Sequence, residues 1–144
     1  MLTNKQIENV IEEIKQDPRI DGILVTSSYI YGTPNEQSDL DVFCVTNDGS
    51  DWNEVGKRVR FGVDIEACFN PPDKVRYYMQ KSKKEGHGDC IHFWAFGRIV
   101  FDKSGVLEML QKEARGFWEN GPDSGSSWVW RAEKHKKYQE GIWN

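Results

Sequence analysis

GILVTSSYIYGTPNEQSDLDVFCVT, residues 22–46, decides how the chain is read. It begins as a buried strand, Gly22–Thr26, and passes through two small residues, Ser27 and Ser28. A short segment then ends at Gly32, a loop follows, and a second strand opens with Asp39-Leu40-Asp41. Successive strand residues face opposite sides, so Leu40, Val42 and Cys44 are expected in the core and Asp39 and Asp41 together on the other face. Their Cα atoms then lie about 6.5 Å apart, a span over which two carboxylates share one divalent cation or a close pair. Two acids at the head of an apolar strand are costly unless they are solvated or paired with a cation.

The whole chain sets the bounds around this stretch. A length of 144 residues suits one domain with a real core. Hydrophobic residues at 38% beside charged residues at 29% fit a soluble globular protein. A net charge of −4 supplies no basic field for duplex nucleic acid. The apolar runs are strand-length and the N-terminus has no signal-peptide pattern, so no membrane partner and a cytoplasmic location are expected. The odd count of three cysteines, Cys44, Cys68 and Cys90, reads most simply as reduced thiols.

Around the central stretch the other elements follow by pattern. Thr3 and Gln6 fit a capping box, and Ile7, Val10, Ile11 and Ile14 have helical spacing, with an end near Gln16 before Pro18. Asn47–Ser50 is a turn and Asp51–Gly56 a short helix. A strand is expected over roughly 58–69, where Val63, Ile65, Ala67 and Phe69 alternate with Asp64, Glu66 and Cys68. Pro71 and Pro72 open a helix to about Lys84 with Val75, Tyr78, Met79 and Ser82 on one side, and Gly86-His87-Gly88 breaks it. Ile91–Phe101 reads as an aromatic-rich strand. Asp102 or Ser104 then caps a helix to about Trp118, with Val106, Leu107, Leu110 and Ala114 inward. Asn120–Ser127 is the one linker-like loop, and a last helix runs from about Ser127 to Glu140. The expected class is α+β: a mixed sheet of four to five strands with helices mainly on one face. A core over 1–119 is followed by a short C-terminal helical extension over 120–144.

Three features converge on phosphoryl chemistry. Ser27 and Ser28 follow a strand and open a short helical turn, where free amides and hydroxyls hold phosphate oxygens. Asp39 and Asp41 lie just beyond, and a neighbouring strand offers Asp64. Phosphoryl transfer asks for such a cradle, for carboxylates that hold Mg²⁺, and for a group that activates the acceptor.

A strand, a serine, an internal glycine and then Asp-x-Asp on a second strand resemble the signature of the polymerase-β-type nucleotidyltransferase superfamily. Ser28, Gly32 and Ser38-Asp39-Leu40-Asp41 occupy the matching positions, and Asp64 in Val63-Asp64-Ile65-Glu66 matches the third carboxylate. The likeness spans roughly residues 7–115, including the Phe96–Asp102 segment and the helix after it. It departs where the usual glycine before the serine is Ser27, whose β-carbon narrows the approach of a triphosphate. The resemblance implies a nucleotidyltransferase fold, an ATP or other NTP donor, and two Mg²⁺ (or Mn²⁺) ions. It further implies transfer of a nucleoside monophosphate to a hydroxyl of a small molecule, protein or nucleic acid, with release of pyrophosphate. Ser27, Ser28, Gly32 and Ser38 would then bind nucleotide, and Asp39, Asp41 and Asp64 would bind metal and carry catalysis. Glu66 shares the face of Asp64 and competes for the third place. The runner-up reading is a catalytically weak nucleotide-binding module, antitoxin-like or regulatory, that pairs with a separate helical protein.

Other groups read more plainly. His87, Cys90 and His92 have no fourth ligand nearby, and His92 reads as a satisfied strand residue. Lys74, Arg76, Lys81, Lys83 and Lys84 form a solvated helix face, with one of them a candidate to meet a triphosphate or nucleic-acid acceptor. Trp118, Trp128, Trp130 and Trp143 either pack the last helices on the sheet or form an interface. The latter predicts a homodimer or a helical partner that supplies the second wall of the site.

Overall fold

A computed structural model describes residues 2–26, 40–60, 62–125 and 127–129. The chain starts with α1 (Asn4–Lys15), closed by the expected capping box: Gln6 N–H donates to Thr3 Oγ1 at 3.1 Å, and Thr3 N–H to Gln6 Oε1 at 2.8 Å. The strands are β1 (Ile20–Thr26), β2 (Leu40–Thr46), β3 (Trp52–Arg60), β4 (Val63–Asn70) and β5 (Arg98–Asp102). The remaining described helices are α2 (Pro72–Glu85), α3 (Asp89–Phe96) and α4 (Val106–Asn120). The five strands form one mixed sheet in the order β3-β4-β2-β1-β5, with β2 and β4 parallel and the other pairs antiparallel. No described helix is long and apolar enough to cross a membrane.

Strand alternation sorts the core into two layers. Ile7, Val10, Ile11 and Ile14 of α1 pack on Leu40, Val42 and Cys44 of β2 and on Val63, Ile65, Ala67 and Phe69 of β4. The other face carries α2, α3 and α4, with Met79, Trp94, Leu107 and Leu110 closing over Leu24 and Val45. Three of the four described helices therefore share one face. β1 is interior and apolar on both sides, as its unbroken hydrophobic run requires. Gly22 is where α4 comes closest: a β-carbon there would lie 1.8 Å from Leu107 Cδ2.

Three expectations about elements are corrected. The run from Ile91 is the helix α3, with Gly97 separating it from β5. A short apolar run does not distinguish a buried helix from a buried strand by periodicity, and Ile91, His92, Trp94 and Ala95 are buried at helical spacing. The chain turns at Gly97, where a β-carbon would lie 2.5 Å from both Leu24 Cδ2 and the Phe93 carbonyl oxygen. Asp51–Gly56 belongs mostly to strand β3, in which Trp52 stacks on Phe69 at 4.3 Å with Arg19 above its ring at 4.2 Å. The strand expected over 58–69 is two strands, because Gly62 takes a positive φ of +68° that turns the chain from β3 into β4.

Asp102 caps α4 from outside the helix. Gly105 holds the formal cap position without a side chain, and the Asp102 carboxylate accepts from Leu107 N–H at 3.1 Å and Glu108 N–H at 3.0 Å. Asp102→Ala is expected to lower stability by about 1 kcal/mol, the usual value of an N-terminal cap. Urea unfolding should show a lower midpoint with an unchanged slope. An unchanged midpoint would mean that solvent satisfies those amides equally well.

Candidate functional site

The sheet topology gathers three strand termini at one edge. β1 runs antiparallel to β2 and β2 parallel to β4, so the end of β1 and the starts of β2 and β4 lie side by side. Thr26, the last residue of β1, pairs with Asp41, and Asp41 pairs across the parallel ladder with Glu66. Neighbouring strands are about 4.8 Å apart, so the Asp41 and Glu66 backbones sit one strand spacing from each other. Asp64 lies a dipeptide earlier on the same face of β4, about 6.5 Å along the strand. Asp41 and Asp64 are half-buried and Glu66 is exposed. The reverse face of both strands is sunk in the core, with Leu40, Val42, Val63, Ile65 and Ala67 all buried.

The carboxylates leave an electrostatic mark on Cys68, the next residue along that face of β4. Burial pushes the Cys68 thiol above its ordinary value, and the negative charges of Glu66 and then Asp41 push it further the same way. Cys90, on α3, is pushed up to about 12, mostly by burial, then by Asp89 and Cys68. Neither thiol has the depressed pKa of a nucleophile.

Asp41, Asp64 and Glu66 offer only oxygen donors, which suits a hard cation such as Mg²⁺. Among the described residues, no three His, Cys, Asp or Glu side chains form a group able to hold a metal ion. Asp39, Ser27, Ser28, Gly32 and Ser38 lie outside the described residues. Cys90 is on the helix α3, and so is His92, expected on a strand. His92 is fully buried between the rings of Phe96 and Trp118, each 4.9 Å away. Trp118 and Trp128 pack within the chain: their rings stack at 5.4 Å and Trp128 Nε1 donates to the Trp118 carbonyl at 3.2 Å. Trp130 and Trp143 lie outside the described residues.

Sequence reasoning missed a cavity of about 370 Å³ on the same sheet face, roofed by α2 and α3. Phe43 and Cys68 form its near end, two residues along their strands from Asp41 and Glu66. Asn53 of β3, Asn70 of β4, Tyr78 of α2 and Trp94 of α3 line it further in. Tyr78, expected on the buried side of its helix, is 39% exposed and forms part of this wall. The alternation of Glu66, Cys68 and Asn70 was visible in sequence. The opposing Asn53 was hidden once its strand was read as a helix.

Comparison with known proteins gives the site its context. The profile of the nucleotidyltransferase domain family matches residues 7–115, three quarters of the chain. Among solved structures, the fold is similar to that of a nucleotidyltransferase-like protein from Exiguobacterium sibiricum 255-15, with a TM-score of 0.56 at 14% identity. That alignment covers 78% of this chain and 38% of the other, so this chain spans well under half of that protein's length. No curated protein matches the chain.

The raised pKa of the Cys68 thiol tests the β2–β4 register. Glu66→Gln is expected to lower the pH at which Cys68 is alkylated, and Asp41→Asn to lower it by less, read by mass-spectrometric mapping of iodoacetamide adducts. A raised thiol pKa keeps the proton on Cys68 in the folded chain. Its contribution to stability is therefore full below the ordinary thiol value and lost as pH rises through the folded one. Glu66→Gln narrows that window. A profile that neither substitution moves would show that the two acids do not flank Cys68.

Proposed function

The chain belongs to the nucleotidyltransferase domain family, and on that premise we propose that it transfers a nucleoside monophosphate from ATP, or another nucleoside triphosphate, to an acceptor hydroxyl, releasing pyrophosphate. The observation that carries the reading is the pairing of Asp41 with Glu66 on adjoining parallel strands, beside Thr26, from which the Ser27-Ser28 segment departs. Acids crowded on one face repel one another and are retained where a cation or a reaction uses them.

In this reading Ser28 and the amides that follow β1 bind the terminal phosphates, with Ser27, Gly32 and Ser38 shaping the loop around them. Asp39, Asp41 and Asp64 would hold Mg²⁺ or Mn²⁺, which when bound neutralises phosphate charge and lowers the pKa of an acceptor hydroxyl. Asp64 would take the proton of the acceptor hydroxyl. Glu66, exposed and level with Asp41, adds a second carboxylate beside it, which would favour a cation there. The reacting oxygen approaches in line with the departing pyrophosphate.

Purified protein with ATP and Mg²⁺ should release pyrophosphate, and chelation should stop it. Asp41→Asn and Asp64→Ala are each expected to lower the rate about 100-fold, the scale of losing one preorganised charged group. Calorimetry should show nucleotide binding retained in Asp64→Ala and weakened in Asp41→Asn. Glu66→Ala should stay within about tenfold of the parent. The reverse ranking of Asp64 and Glu66 would transfer the third-carboxylate role to Glu66, and wild-type protein that binds no nucleotide would sink the assignment.

A further inference from the structure

We infer that the cavity between the sheet and α2–α3 seats the acceptor, and that this acceptor is a small, flat-ringed, hydroxylated molecule without net charge. The inference rests on the transfer reading above and adds where the second substrate sits and what it is. Topology gives the direction. β2 lies between β1 and β4, so Thr26 at the end of β1 and the part of the cavity over β4 and β3 flank β2 on opposite sides. In-line transfer needs the leaving pyrophosphate and the entering oxygen on opposite sides of the phosphorus. A donor held at the end of β1 leaves the β4 side to the acceptor.

The lining gives the chemistry. Phe43, Tyr78 and Trp94 present ring surfaces, and Asn53 and Asn70 present neutral amides that donate to and accept from hydroxyls. The charges around the wall nearly offset, with Asp51, Glu85 and Asp89 against Lys74 and Lys81. Lys74 is already bonded to Asp51 at 2.7 Å, and the Asp89 carboxylate accepts from Cys90 N–H at 2.8 Å. A volume of about 370 Å³ is that of a small-molecule site. The basic helix α2 gives a nucleic acid little to hold: Arg76 is paired with Glu113 at 3.1 Å and Lys83 with Asp123 at 3.1 Å, besides Lys74 with Asp51.

The test uses the full chain and three probes, pyridoxine, uridine and myo-inositol, followed by saturation-transfer NMR without nucleotide. The two flat-ringed probes are expected to bind at least tenfold more tightly than myo-inositol. Asn53→Trp, at an exposed position of an edge strand, should intrude on the cavity and weaken probe binding at least tenfold with an unchanged melting temperature. Tyr78→Ala removes a wall without adding bulk and should weaken it as well. No saturation of any probe by the wild type, or binding that neither substitution alters, overturns the cavity as a ligand site. With α-³²P-labelled ATP and Mg²⁺, label on the bound probe supports the acceptor role. Label recovered only on added RNA or protein overturns it. Protein that binds the probes through Asn53 and Tyr78 yet releases no pyrophosphate keeps the pocket and loses the transfer reaction, so the two failures are told apart.

Discussion

The parallel pairing of β2 with β4 is the constraint on which the rest depends. Both strands have one face wholly inside the core, where Leu40, Val42 and Cys44 meet Val63, Ile65, Ala67 and Phe69 under α1. A slip of one residue in either strand would carry Asp41, or Asp64 with Glu66, into that core and bring the apolar set out to water. Burying an unpaired carboxylate costs far more than any surface contact returns. The hydrophobic face therefore fixes the position of the acidic one, and the acids can crowd together because the other side of each strand holds them there.

The same logic explains what was legible in sequence. Period-two alternation gave β2 and β4 and put Asp41, Asp64 and Glu66 on one face, because one side of each strand is buried and the other is not. The capping box of α1, the Pro71-Pro72 start of α2 and the αL glycine Gly86 that ends it are local signals, and all three are present. Less was legible where burial is complete or the strand lies at an edge. α3 is apolar nearly all round, so its pattern has no period to detect. Among the described strands β3 pairs with β4 alone, and its Trp52 is anchored by Phe69 and Arg19, partners distant in sequence. The cavity needed both of these elements in place, so its lining was out of reach of a reading that misplaced them.

The exposed charges of α2 were legible as residues but not as pairs. Lys74, Arg76 and Lys83 each meet an acid from outside the helix: Asp51, Glu113 and Asp123. Such surface pairs contribute little stability individually. Their consequence here is electrostatic: a helix that looks basic in sequence presents much less free positive charge to an approaching polyanion. Lys83 also donates to the Gly121 carbonyl at 2.7 Å, and Val129 N–H donates to the Gly86 carbonyl at 3.0 Å. The segment after α4 is thereby laid against the end of α2, where Trp128 covers Gly88.

This packing has a consequence for the face that bears the acids. α2, α3 and α4 close over Leu24 and Val45, toward the far end of β2 from Asp41. Gly22 and Gly97 permit that closeness, since a β-carbon at either would run into Leu107 or Leu24. The helical layer is thus drawn down tightly on the β1 side and stands off over β4 and β3, where Phe43, Cys68 and Asn70 line a cavity instead of a core. One sheet face therefore passes from sealed core through an open pocket to solvated carboxylates. Pocket and acids stand next to each other on this face, and the two glycines let the helices close down on its β1 side.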